Sequence, residues 1–170
     1  NLGGNTISQL GVLPAGLVNL YLDNCGFTSF PSIQGPTNLL VLYTSYNPIQ
    51  VVPALPSTLV EWQCSQCGLT QLPALPAQLQ WLSLSDNPLA SLPDLPSTLI
   101  ALYVPNTALT SLPELPAGLE SLMCFGTTIP CLPNLPASVS LLALPLSVEC
   151  VPEPMSSGAL DYAQVFGYPI

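Results

Sequence analysis

Two cysteines three residues apart, in Glu61-Trp62-Gln63-Cys64-Ser65-Gln66-Cys67, have the spacing of a zinc ligand pair or a redox dithiol. Four more, Cys25, Cys124, Cys131 and Cys150, are spread along the chain. The only other strongly reactive side chains are nine carboxylates, because the 170 residues contain no Lys, Arg or His and carry a net charge of −9. The chain therefore lacks the usual general base near neutral pH, the Schiff-base amine and the cationic oxyanion clamp. It also has no cation to neutralise phosphate or acidic lipid, which disfavours nucleic acid and other polyanions as partners. A metal site on Cys64 and Cys67 needs two further ligands, and there is neither a histidine nor a second Cys-x-x-Cys to supply them. Asp94 and Glu114 stand in equivalent positions, but two carboxylates are too few for calcium, which takes six to eight oxygens. No catalytic residue, metal or cofactor is expected.

The setting of these residues is a repeat. A Leu-Pro-x-Leu-Pro tract recurs at residues 72–76, 92–96, 112–116 and 132–136, a period of 20. Aligning on the third residue after each tract gives Leu17, Leu39, Leu59, Leu79, Leu99, Leu119 and Val139, with one step of 22 among steps of 20. Counting from that anchor, plus three is Leu20, Leu42, Trp62, Leu82, Leu102, Leu122 and Leu142, and plus five is Leu22, Thr44, Cys64, Leu84, Val104, Cys124 and Leu144. These alternate positions should point inward from a short strand. At plus eight stand Cys25, Asn47, Cys67, Asn87, Thr107, Thr127 and Ser147, small groups able to bond to the backbone where the coil turns. Cys64 and Cys67 are thus the inward columns of one coil, and they read as core packing, which suits a small buried hydrophobe with a weak S–H donor.

The pattern L-x-x-L-x-L-x-x-N-x-L-x-x-L-P-x-L-P, matched in seven copies, resembles the leucine-rich repeat family over roughly residues 1–152. What the resemblance implies is a solenoid, an arc with short parallel β-strands on the concave face, a polyproline-like or irregular convex side, and little or no α-helix. The 20-residue form looks like two bacterial branches. One comprises secreted effectors of enteric pathogens, whose repeats select substrates for an attached ubiquitin ligase. The other comprises surface and secreted proteins of the Bacteroidota, in which "LPSTL", cysteine at plus five and an ending like "CLPNLP" recur. Here "LPSTL" occupies residues 55–59 and 95–99 and "CLPNLP" residues 131–136, with no ligase domain following, so the second branch fits better. The prolines three apart, such as Pro73 and Pro76, suit an extended outer arm and lower the entropy of the unfolded chain. One coil buries too little to stand alone, and stacking closes the core between neighbours.

The array should run from a partial first coil through seven full ones to residue 152, with 153–170 as a cap or a linker. The chain starts inside a coil, with Leu2 at plus five and Asn5 at plus eight, which reads as a piece of a longer array. Near the other end, Cys131 and Cys150 each precede the Leu-Pro or Val-Pro pair that closes a coil, and they share a column. Neighbouring ladder positions lie about 4.8 Å apart, within the reach of a disulfide, so these two are expected to be bonded rather than free. Such a bond implies an oxidising compartment. No apolar run is long enough to insert in a membrane.

Outward strand positions carry Tyr21, Tyr43, Glu61, Gln63, Trp81, Tyr103, Met123 and Phe125, and exposed aromatics on a rigid sheet are what interfaces and sugar-stacking surfaces use. The reading is a non-enzymatic extracellular or cell-surface module that binds a protein or glycan on its concave face. Two alternatives stand beside it. The module assembles with further copies of itself, or with other domains of a longer chain, into a filament or layer, through Val41, Trp81, Met123, Phe125 and Leu141. Alternatively, it is the substrate-recognition repeat of a secreted effector.

Overall fold

The computed structural model describes residues 1–7, 9–33 and 38–150. Seven three-residue strands, one per coil, follow in order: β1 (Asn19–Tyr21), β2 (Val41–Tyr43), β3 (Glu61–Gln63), β4 (Trp81–Ser83), β5 (Ala101–Tyr103), β6 (Ser121–Met123) and β7 (Leu141–Ala143). They form one parallel sheet in chain order. The register keeps equivalent positions opposite each other, Leu20 with Leu42, Leu42 with Trp62 and so on to Leu142. The longer first step leaves that register unshifted. No helix occurs among the described residues, as the repeat implied.

The strand is short because the coil must turn after it, and the turn is built the same way in each copy. The residue at plus seven adopts a left-handed backbone in six coils: Asn24, Tyr46, Gln66, Asp86 and Asn106 with φ between 53° and 60°, and Gly126 at 69°. Such angles favour Gly, Asn and Asp, and four of the six positions hold them. After the outer arm, the second proline of each tract closes a tight turn, its carbonyl accepting from the N–H of the next anchor, as in Pro56 to Leu59 and Pro96 to Leu99. The hydroxyl before the anchor then bonds back to the preceding coil: Thr58 donates to the Leu39 carbonyl at 2.7 Å and Thr98 to that of Leu79 at 2.8 Å. That gives "LPSTL" a physical reason.

The core is a continuous column of the predicted inward residues. Leu42, Trp62, Leu82, Leu102 and Leu122 are fully buried, as are Cys64, Leu84, Val104 and Cys124. Beside them runs a ladder of side-chain amides at plus eight. Asn87 Oδ1 accepts from the N–H groups of Cys67 and Leu69, both at 3.0 Å, while its Nδ2 donates to the carbonyls of Cys64, Leu84 and Ser85. Asn47 makes the same set one coil pair earlier, to Cys25, Phe27, Leu22, Thr44 and Ser45. Asn5 repeats the inner half of it, donating to Leu2 and Gly3. The opening half-coil accordingly stacks on the first full one, with Leu2, Gly4 and Ile7 donating to Tyr21, Asp23 and Cys25. The proposed division at residue 152 and the segment 153–170 lie outside the described residues.

Two positions that alternate outward are nevertheless covered. Ala101 and Ala143, on the sheet's outer face, are only 1% and 4% exposed. A methyl group is too short to emerge between larger column neighbours, which for Ala101 are Trp81 and Ser121.

Candidate binding face

The seven strands place the predicted face in three columns. Glu61 and Trp81 stand at plus two, Tyr21, Tyr43, Gln63, Tyr103 and Met123 at plus four, and Phe125 at plus six, beyond the end of β6. All are half-buried except Trp81, which is 40% exposed. The strands bring six of the eight together into two clusters. In the first, the Tyr21 and Tyr43 rings pack edge to face with centroids 4.9 Å apart, and the Tyr43 hydroxyl donates to Glu61 Oε1. Gln63 Nε2 donates to the same carboxylate oxygen at 3.2 Å. The second cluster pairs Trp81 and Tyr103 edge to face at 5.5 Å, with the Ser121 hydroxyl donating to that of Tyr103 at 3.2 Å. Met123 and Phe125 join neither. Phe125 instead lines a hollow with Asn106, Leu144 and Leu146.

A row of small polar groups flanks the aromatics and was not recognisable as a network from spacing alone. Asp23 Oδ1 accepts from the Ser45 N–H at 2.8 Å, and Ser45 Oγ accepts from the Ser65 N–H at 3.1 Å. Ser65 Oγ lies 3.4 Å from Ser83 Oγ. The sequence signal was Asp23, Ser45 and Ser65 standing together at plus six. These bonds hold the polar row in one arrangement, so the surface is ordered without help from outside the chain.

Electrostatically the face is one-signed. Burial pushes the Asp23 carboxyl above its usual value of 3.8, against the lowering effect of the Ser45 hydrogen bonds. Burial also holds the Tyr43 phenol in its neutral form, helped by its hydrogen bond to Glu61, and pushes the Cys124 thiol up to about 12. In each case the folded state holds the proton more tightly, so stability falls as pH rises through the shifted value. For Asp23 the contribution is complete below 3.8 and lost above the raised value. Ordinary acid unfolding protonates paired carboxylates, but this chain has no basic side chain to pair with them. The urea midpoint is expected to rise as the pH is lowered from 7 toward 3.8, below which Asp23 is protonated in both states, and to fall above pH 9. A midpoint that drops on acidification would contradict this.

Asp94 and Glu114 are exposed and line a shallow hollow with Leu95, Leu115 and Asn134. Among the described residues no three His, Cys, Asp or Glu side chains gather as a metal site. Cys131 and Cys150 face each other across a parallel bridge with Cα atoms 4.7 Å apart, and their sulfurs are bonded in the structure.

Neither a protein-family model nor a curated protein matches the chain. Its structure superposes on that of YopM, a leucine-rich effector protein from Yersinia pestis, with a TM-score of 0.70 and 26% identity over 86% of this chain. The chain has the leucine-rich repeat solenoid fold. YopM from Yersinia enterocolitica WA-314 is also similar, at 27% identity over 87% of this chain and a TM-score of 0.47. This leucine-rich repeat solenoid spans 50% and 44% of those two chains, half their length or less.

Proposed function

We propose that this leucine-rich repeat solenoid is a non-catalytic binding module of a bacterial surface or secreted protein, of the Bacteroidota type, which holds a protein partner against its concave face. The observation that carries the reading is the pair of aromatic clusters, Tyr21–Tyr43 and Trp81–Tyr103, flanking the Glu61 carboxylate on one rigid sheet. Large rings ordered by their neighbours supply contact area at low entropic cost. Glu61 is held by Tyr43 and Gln63 but meets no cation of its own chain, so it suits a Lys or Arg of the partner. Replacing Trp81 and Tyr103 together by alanine is expected to weaken partner binding at least ~10-fold, as interface anchors do. Equal binding by wild type and the double variant, with both folded, would refute the assignment of the face. Self-assembly predicts light scattering that grows with concentration, whereas the binding module stays monomeric.

A second reading has one supporting observation, the likeness to a leucine-rich effector protein. Both readings have the repeats bind protein, and they differ in compartment. In a protein from an oxidising compartment Cys131 and Cys150 resist alkylation until reduced, and non-reducing mass spectrometry of the natural protein reads this directly. Two alkylatable thiols would favour the effector.

A further inference from the structure

Coil three alone carries sulfur at both inward columns: the other plus-five and plus-eight pairs are Leu22 and Cys25, Thr44 and Asn47, Leu84 and Asn87, Val104 and Thr107, Cys124 and Thr127, and Leu144 and Ser147. The turn that leaves β3 folds Cys67 back against Cys64, through the left-handed Gln66 at φ 53°. Both side chains are fully buried, and their sulfurs lie 2.7 Å apart. That separation is well inside the non-bonded contact of two sulfur atoms and not far beyond the roughly 2.05 Å of a covalent S–S bond. One side chain of the next coil holds both backbones in place, since Asn87 accepts from the Cys67 N–H at 3.0 Å and donates to the Cys64 carbonyl at 2.8 Å. We infer that Cys64 and Cys67 close as an intra-coil disulfide, a second crosslink inside the core, distinct from the exposed Cys131–Cys150 bond.

The bond leaves no polar group stranded. The Cys67 thiol donates to the Thr44 carbonyl at 3.2 Å, and when that proton is gone the carbonyl still accepts from Asn47 Nδ2 at 2.9 Å. The reaction needs an oxidant, and the class that fits is another disulfide, RSSR. Once coil three opens, either sulfur can attack and the product is the same; by the route through Cys67, that thiol ionises first. The Cys67 thiolate attacks RSSR, forming a mixed disulfide and releasing RS⁻. Cys64 gives its proton to that RS⁻, and its sulfur then displaces the second RS⁻ from Cys67. The two protein thiols are oxidised to one disulfide, and RSSR is reduced to two RS groups. Access comes while coil three is open, during folding or local opening, because the closed coil buries both sulfurs.

The test is made on the full chain refolded with oxidised and reduced glutathione until the Cys131–Cys150 bond has formed, then denatured and alkylated without reduction. Trypsin has no site in this chain, but cleavage after glutamate isolates residues 62–114, in which Cys64 and Cys67 are the only cysteines. The expected fragment is unalkylated and two hydrogens lighter than its reduced form. A fragment carrying two alkyl groups overturns the inference. Cys67→Asn places in coil three the residue that Asn47 and Asn87 supply in its neighbours, so it keeps the fold. In that variant Cys64 is expected to alkylate fully. If Cys64 stays unreactive, its partner is another cysteine and the assignment fails.

Discussion

Replacing Asn87 by alanine is expected to lower the unfolding free energy by about 3–5 kcal/mol, because buried donors left without an acceptor each cost about 1–3 kcal/mol. The donors are the N–H groups of Cys67 and Leu69, which share Asn87 Oδ1 at 3.0 Å each. The carbonyls of Cys64 and Leu84 lose their donor as well, at 2.8 and 2.9 Å. With the side chain only 2% exposed, water does not readily replace it. Thr107→Ala makes the comparison specific, since Thr107 occupies the same column and its hydroxyl gives only one bond, to Val104 at 2.9 Å. Its loss should cost about 1 kcal/mol. Urea unfolding of the two variants checks the ratio, and equal losses would mean that the amide ladder does not tie the coils together.

The second large effect is expected from Leu102→Ala, at about 3–5 kcal/mol, the upper part of the range for buried leucines. Leu102 is fully buried and lies in register between Leu82 and Leu122, so the cavity opens at two coil interfaces at once. In a solenoid each coil is stabilised mainly by its neighbours, and a defect in the middle also uncouples the two halves. The urea transition should broaden or split as well as move. Leu10→Ala, at a half-buried position of the opening coil, is the control and should cost about 1 kcal/mol with an unchanged slope.

The inward columns were legible in the sequence because a period repeated seven times averages out local ambiguity. Trp62 illustrates this: among leucines at plus three it is still read as core, and it is fully buried. What could not be read is the fate of its indole N–H, which is buried without a partner. The left-handed plus-seven column was visible in principle, through Asn24, Asp86, Asn106 and Gly126, but Tyr46 and Gln66 interrupt the signal. The turn geometry there is imposed by the stacked coils and overrides local preference.

On the outward face of the sheet, spacing picked out the columns that alternate away from the core, because side-chain alternation is strict in a strand. It did not reveal which residues meet. Trp81 reaches Tyr103 on the adjacent strand although the two stand at different positions in their coils, and only side-chain length makes that contact. Ala101 alternates outward like its column neighbours and is covered for the opposite reason, a side chain too short to emerge. The Cys64–Cys67 pair follows the same logic. Its column positions were evident, but the 2.7 Å approach of the sulfurs depends on the turn between them.

The most direct measurement for a concave binding face is site-specific photo-crosslinking of the full-length protein in its source organism, with the probe residue at Ser83 or Ser91. Both belong to the same coil: Ser83 lies in β4 between Gln63 and Tyr103, and Ser91 is exposed on the outer arm. A protein adduct from Ser83 and none from Ser91 is the predicted result. Adducts from Ser91 alone, or equal yields from both positions, would contradict it.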